Sequence, residues 1–353
     1  MKQRKHASQE NSAWGLSPTA SLSVVMLGFR DALLLERALR SLVACTSNQR
    51  WELILVLNGA SDAVRAFAAT FLRENTVPVR LIDIPGCRPG AARNHGVRAA
   101  RSDLLFFLDD DTESFQDILT AAEKIFQDHS IVAAGGANLT PPGSGALERA
   151  TGLAMSTAFG AGKMSRRYQR GVEGLATEHD LILCNLVVRK SIFTSQRGFA
   201  THLVSNEENV LLQKLEESSE KLWRSPSLAV FHRRRRTVGG LWEQAGKYGA
   251  GRAQNLLLLP QTFHPRYFLP LAFFLYLLSL PIAFSTPVWW APALLYCAVA
   301  LITAARAIGL ERPGVVFLQL LIFPVVHLGY GWGFLRAAVT WSGRRKELME
   351  HAF

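Results

Sequence analysis

The sequence predicts an α/β fold built on a parallel sheet, followed by helices that enter a membrane. Three observations carry this: β-rich runs alternate with amphipathic ones from Ser21 onward, one apolar run ends in three consecutive aspartates, and long charge-free stretches follow residue 265. Strand and helix alternating in this way give right-handed crossovers, so the strand C-termini share one sheet edge, where such folds hold ligands.

In order, SLSVVMLGF, WELILVL, VRLIDI and DLLFFLDDD read as strands. DALLLERALRSLV, DAVRAFAATFL and GAARNHGVRAA read as the helices between them. The loops after the strands hold Arg30-Asp31, then Asn58 to Asp62, then Gly86 to Gly90, and finally Asp109, Asp110 and Asp111. Their polar content suits a nucleotide diphosphate. Asn58 and Asp62 are placed to bond a base or ribose, Arg88 and Arg93 to pair with phosphate, and the aspartates to hold Mg²⁺ or Mn²⁺, which favour hard oxygen ligands. Each has a plainer alternative: Asn58-Gly59 as a turn, Asp62 as a helix cap, Arg93 as a solvated helix residue, and the aspartates as an acidic helix start.

After Gly135-Gly136 the pattern weakens through TPPGSG and LERATGLAMSTAFGAGKMSRR, which read as plain surface loop, with a mobile loop near an anionic ligand as the alternative its glycines and basic residues suit, and LILCNLVV resumes as a strand of the same core. Ser205 and Glu208 have the spacing of a capping box at the start of NVLLQKLEESSEKL, while a carboxylate at that helix start is also where a general base could stand. SPSLAVFH ends at His232, read as a third metal ligand, a diphosphate contact or an ordinary strand-end histidine. The run Arg233 to Arg236 reads as solvated or lipid-facing.

Phe268 to Phe284, Val288 to Ala305 and Val315 to Leu335 each approach the roughly 20 residues needed to cross a bilayer core. Pro270, Pro281 and Pro324 mark some of them as kinked, re-entrant or interfacial. The formal charge is +11, from 39 basic against 28 acidic side chains. Basic clusters at Met1 to His6, Arg233 to Arg236 and Arg344-Arg345-Lys346 flank the apolar segments, so an anionic leaflet is the expected partner and nucleic acid is not. MKQRKHASQENSAWG has no apolar h-region, and the expected location is a bacterial inner membrane with the catalytic domain facing the cytoplasm. Three full crossings would strand the basic tail outside, so the number of spans stays open. The four cysteines have no CxxC spacing and suggest neither zinc nor disulfides.

The order of the motifs resembles family 2 glycosyltransferases, inverting nucleotide-sugar enzymes with a GT-A fold. SVVMLGFR resembles the family's opening strand, LVLNGASD its VDDGSxD segment, PGAARNHGVRAARSDLLFFLDDD its ARNxG…FLDxDD stretch, and NEENVLLQKL its EDxxLxxRL helix. SPSLAVFHRRRRTVGGLWEQAGKYGAGRAQ with the apolar segments is similar to succinoglycan-type exopolysaccharide glycosyltransferases, and Gln244-x-x-Lys247-Tyr248 loosely resembles the QxxRW signature of processive synthases. An amphipathic interface helix over Leu241 to Asn255 explains those last residues equally well.

The resemblance implies Asp111 as metal ligand, Asp109 as ribose or base contact beside Asp110, Glu208 as base, and Glu207, Gln244 and Tyr248 on the acceptor side. Two departures stand out: Leu57 and Asn58 replace the family's two acids, and Glu208 replaces an aspartate. The expected domains are a basic tail at 1–20, the GT-A domain at 21–238, interface helices at 239–266, a membrane domain of about three helices at 267–338, and a basic tail at 339–353. The expected partners are a nucleotide-sugar donor, first a UDP-sugar, and a lipid-linked or glycan acceptor. Processive synthesis would need a channel, hence a homo-oligomer, and a non-catalytic membrane scaffold is the alternative that Asn58 favours.

Overall fold

The computed structural model describes residues 21–29, 31–45, 50–201 and 203–341. The basic tail at 1–20, Arg30 and residues 342–353 of the second tail lie outside them, while 339–341 end a helix. The first half alternates as expected through β1 (Leu22–Gly28), α1 (Ala32–Val43), β2 (Trp51–Asn58), α2 (Asp62–Glu74), β3 (Val79–Ile84), α3 (Pro89–Ala99) and β4 (Leu104–Asp109). Strands β1 and β2 are buried along their whole length, because helices cover both sheet faces. Helix α1 is capped by Asp31, whose carboxylate accepts from the Leu33 and Leu34 N–H groups. Helix α2 is capped by Ser61 rather than Asp62. Pro89 opens α3, where its missing N–H costs nothing. Gly96 lets α3 sit directly on the sheet, since a Cβ there would stand 2.7 Å from Val25 Cγ1.

Beyond β4 come β5 (Thr112–Ser114), α4 (Ile118–Ile125), β6 (Ile131–Gly135), β7 (Asn138–Leu139), α5 (Ala146–Met155), α6 (Ala158–Ala161), β8 (Gly174–Leu175), β9 (Asn185–Arg189), α7 (Lys190–Ser195), α8 (Glu207–Glu217), β10 (Lys221–Arg224) and β11 (Val230–His232). The main sheet runs β3-β2-β1-β4-β9-β6-β10-β8. It is mixed rather than parallel, because β9 enters antiparallel between β4 and β6. LILCNLVV thus supplies a central strand. Its return direction could not be read from composition. A small second sheet, β5-β11-β7, stands beyond the end of β4.

The stretch expected as loop after TPPGSG is helical: α5, α6 and a 3-10 turn at Gly162–Tyr168. Its small residues make close contacts with other helices, which reads as weak periodicity in sequence. Ala150 and Ala154 pack with Ile322 and Phe323 of the C-terminal region.

That region holds α9 (Val238–Leu258), α10 (Leu269–Ser279), α11 (Ala291–Ala305) and α12 (Pro313–Trp341). Two segments, Pro287–Ala305 and Pro313–Trp341, are long and apolar enough to cross a membrane; the first expected span is shorter, ending at Ser279. Pro324 lies inside α12. Helix α9, expected to lie on a surface, is buried at Leu241, Ala245 and along Gly249–Asn255. Its glycines explain the contact with α12, because a Cβ on Gly249 would overlap the Tyr330 carbonyl oxygen. Gly249→Val should therefore separate the two helices and destabilise the protein by about 1–3 kcal/mol, measured by thermal unfolding in detergent.

Candidate active site

The site begins where β4 runs out. Asp109 ends the strand, and Thr112 Oγ1 donates back to the Asp109 carbonyl at 2.7 Å, tightening the turn that carries Asp110 and Asp111. β5 then pairs antiparallel with β11, setting Thr112 opposite His232. This brings His232 Nε2 to 2.8 Å from Asp111 Oδ1. One ligand atom each from Asp109, Asp111 and His232 lies within 4.8 Å of the others. Two carboxylates and an imidazole suit a divalent ion such as Mg²⁺ or Mn²⁺. Asp110 Oδ2 accepts from the Phe29 N–H at 3.4 Å, tying the end of β1 to the same corner.

Arg93 is corrected from a phosphate contact to a brace. Its buried guanidinium donates to Asp109 Oδ1 at 2.6 Å and to Glu207 Oε1 at 2.7 Å. Burial alone would weaken its charge, but Asp109 and Glu207 outweigh that and push its pKa up. Glu207 is consequently committed to Arg93.

Helix α8 opens differently from the capping-box expectation. Asn206 sits at φ +64° with no side-chain cap, and the Ser205 hydroxyl donates to the Lys247 carbonyl at 2.7 Å. Asn206 Nδ2 donates to the Tyr248 carbonyl at 3.1 Å, so α9 holds the turn that starts α8. Glu208 is therefore not spent on capping. It is buried, with Arg167 Nη1 3.6 Å from its Oε1. Burial lifts its carboxyl from the ordinary 4.5 to about 7; Arg167 opposes the rise and Glu207 adds to it.

Arg167 was missed in the sequence. It lies in an aperiodic stretch, yet it is buried and also donates to Asn209 Oδ1 at 2.8 Å and to the Glu178 carbonyl at 2.6 Å. Two of the four consecutive arginines, expected to be solvated or lipid-facing, turn inward. Arg233 Nη2 lies 3.1 Å from Glu113 Oε1. Arg234 donates to the Asn138 carbonyl at 2.6 Å and stands 5.0 Å over the Tyr168 ring. Partners on the small sheet draw them in.

The remaining expected residues divide. Asn58 exchanges two hydrogen bonds with the Cys87 backbone, at 3.0 and 2.8 Å, and so pins the loop before α3. Asp62 is exposed beside Arg65 at 3.6 Å, and Arg88 is exposed at the start of α3. Gln244 Nε2 donates to the Tyr248 hydroxyl at 3.1 Å, and the Tyr248 phenol lies in the field of Arg234, Arg235 and Glu208. Buried Cys184 marks the centre: its thiol, pushed well up by burial, also feels Asp109, Arg234, Asp111 and Glu208. The acidic corner and the raised carboxyl therefore both lie near Cys184.

Residues 23–195 match the family model Glycosyl transferase family 2. The matched domain belongs to glycosyltransferase family 2. Its mixed sheet is the GT-A fold, and the class uses nucleotide-sugar donors. The chain is similar to a mannosyltransferase from Pyrobaculum calidifontis solved with GDP-Man and Mn²⁺, at 15% identity over 92% of this chain and 90% of that one, with a TM-score of 0.58. It is also similar to S. aureus TarS 1-349 solved with UDP-GlcNAc, at 13% identity over 93% of this chain and 92% of that one, with a TM-score of 0.50. No curated protein matches the chain.

Two outcomes follow from this family 2 site. Arg93→Met strands two carboxylates and should cost about 3–5 kcal/mol in chemical unfolding. His232→Ala should weaken Mn²⁺ binding about 10–100-fold by calorimetry, with the fold intact by circular dichroism.

Proposed function

We propose that this protein is a membrane-anchored, metal-dependent inverting glycosyltransferase. It moves a sugar from a nucleotide-sugar donor, first a UDP-sugar, to a lipid-linked or glycan acceptor in bacterial exopolysaccharide or cell-surface glycan synthesis. The observation that carries this reading is the pairing of the Asp109, Asp111 and His232 cluster with a separate buried carboxyl, Glu208, whose pKa is lifted to about 7.

The division of labour follows from those environments. Asp109, Asp111 and His232 would hold Mg²⁺ or Mn²⁺, which when bound supplies charge neutralisation for the departing diphosphate. Asn58 keeps the loop before α3 in place, and exposed Arg88 at its end is available to a phosphate. Arg234, in the field of Asp111, lies beside the same corner and suits the diphosphate's remaining charge. Glu208 takes the proton from the acceptor hydroxyl, which attacks the sugar from the face opposite the leaving group and inverts the anomeric centre in one displacement. Arg167 holds Glu208 in place and limits the rise of its pKa.

The apolar helices support membrane anchoring. With the basic segments on the cytoplasmic side, the catalytic domain would face the cytoplasm of a bacterial inner membrane. A lipid-linked acceptor would then present its sugar next to the site.

Purified protein incubated with UDP-, GDP- and dTDP-sugars and Mn²⁺ or Mg²⁺ tests the reading. Metal-dependent consumption of one donor supports it, and no binding or turnover of any would refute it. Asp111→Asn should abolish that turnover, and Glu208→Gln should lower kcat about 10²–10⁴-fold with the donor KM little changed. A base must be ionised to act, so kcat should rise with pH along a limb near 7 rather than near 4.5. Arg167→Met removes the cation that stabilises the carboxylate and should move that limb to higher pH, read from the pH–rate profile.

A further inference from the structure

A cleft of about 420 Å³ lies beside the site, between the Thr140–Gly143 turn, one face of α5 and Glu311 in the turn that leads into α12. No residue assigned above to metal, donor or base reaches into it. Its size falls in the range of small-molecule pockets. We infer that this cleft is the acceptor subsite and receives the terminal ring of a neutral saccharide, presented on a lipid at the membrane surface. The inference rests on the transferase reading above.

Three features carry it. The cleft is mixed in character: Leu153 and Pro142 offer apolar surface, while Arg149 and Glu311 offer planar polar edges. Arg149 Nε stands 3.3 Å from Glu311 Oε1, and their side chains remain 33% and 21% exposed. Arg149 Nη2 also donates to Glu311 Oε2, so the pair is bidentate and cancels its own charge; the guanidinium's outward N–H groups and the carboxylate's second lone pairs suit hydroxyl groups, while a phosphate would meet the Glu311 carboxylate.

The cleft also shares a wall with the reacting centre. Tyr168 lines it and carries Arg234 5.0 Å over its ring, and Arg234 Nε donates to Thr140 Oγ1 at 3.3 Å. The Tyr168 phenol, raised by burial, lies in the fields of Arg234, Arg167 and Glu208. A ring in the cleft would thus lie against Tyr168, on the side of the molecule that carries Arg234 and Glu208.

The position relative to the membrane helices selects a lipid-borne ring. Glu311 stands two residues before Pro313–Trp341 and follows the Pro287–Ala305 segment, so it occupies the connection between the two helices long enough to cross a bilayer. One wall of the cleft therefore lies at the end of a helix long enough to span a bilayer. A saccharide attached to a lipid would arrive there without leaving the membrane.

The test is photolabelling of the full chain in a sugar-free detergent with a diazirine-bearing octyl glucoside, mapped by mass spectrometry. Labels should concentrate on 140–156 and 306–313, and Arg149→Met or Glu311→Gln should reduce them about tenfold, the loss expected from roughly 1.4 kcal/mol of polar contact. Pro142→Trp, at an exposed turn position, should block labelling by occlusion without disturbing the core. Excess methyl glucoside should compete poorly if the lipid matters. Full competition by it would overturn the lipid-borne part, and labels spread over the apolar faces of α10–α12, unchanged by these variants, would overturn the subsite. UDP binding with Mn²⁺, measured on the same variants, should be unaltered. Its absence from the wild type would instead count against the transferase reading.

Discussion

The buried Arg93 bridge between Asp109 and Glu207 is the interaction on which the site depends. It joins the end of β4, which carries the three consecutive aspartates, to the first residue of α8, which carries Glu208. A guanidinium suits this task because its planar fork reaches two carboxylates at once and cannot lose its charge. Without it, two acids would be buried close together, and at least one would take up a proton. The bridge therefore helps set the separation between Asp109 and Glu208 as well as the charge balance of that corner.

A second layer of constraint comes from α9. Its backbone carbonyls at Lys247 and Tyr248 take the hydrogen bonds of Ser205 and Asn206, fixing the left-handed turn before Glu208. The same helix packs on α12 through glycines that permit backbone contact. The orientation of Glu208 is thereby mechanically continuous with the apolar helices. Arg167 extends the connection, because it reaches Glu208 while bonding the Glu178 carbonyl, and Glu178 lies near Arg252 of α9. Such a linkage holds the α/β domain at one angle to the apolar helices rather than on a loose linker.

Residues with charge or polarity in the expected loops were legible as a group but not in their individual duties. Asn58, Arg93 and the Arg233 to Arg236 run all lie where chain order places them, at strand ends or helix starts. Their partners come from distant segments: the Cys87 backbone for Asn58, Glu207 for Arg93, and Asn138 and Glu113 for the arginines. Local spacing cannot distinguish a guanidinium that will meet phosphate from one that will meet a buried acid. The small-residue stretch holding Arg167 was illegible for a related reason, since its helices gain stability from tight contact with α12 rather than from an apolar stripe of their own.

By itself the sequence determined the alternation of strands and helices, the acidic end of β4, the apolar C-terminal helices and the family. These follow from periodicity, from runs of like character and from motif order, all of which are local. Tertiary structure alone decided the antiparallel insertion of β9, the approach of His232 to Asp111 and the release of Glu208 from a capping role. It also decided the shift of that carboxyl to about 7. Each of these depends on desolvation or on partners many residues away, and neither is encoded in the spacing of neighbouring residues.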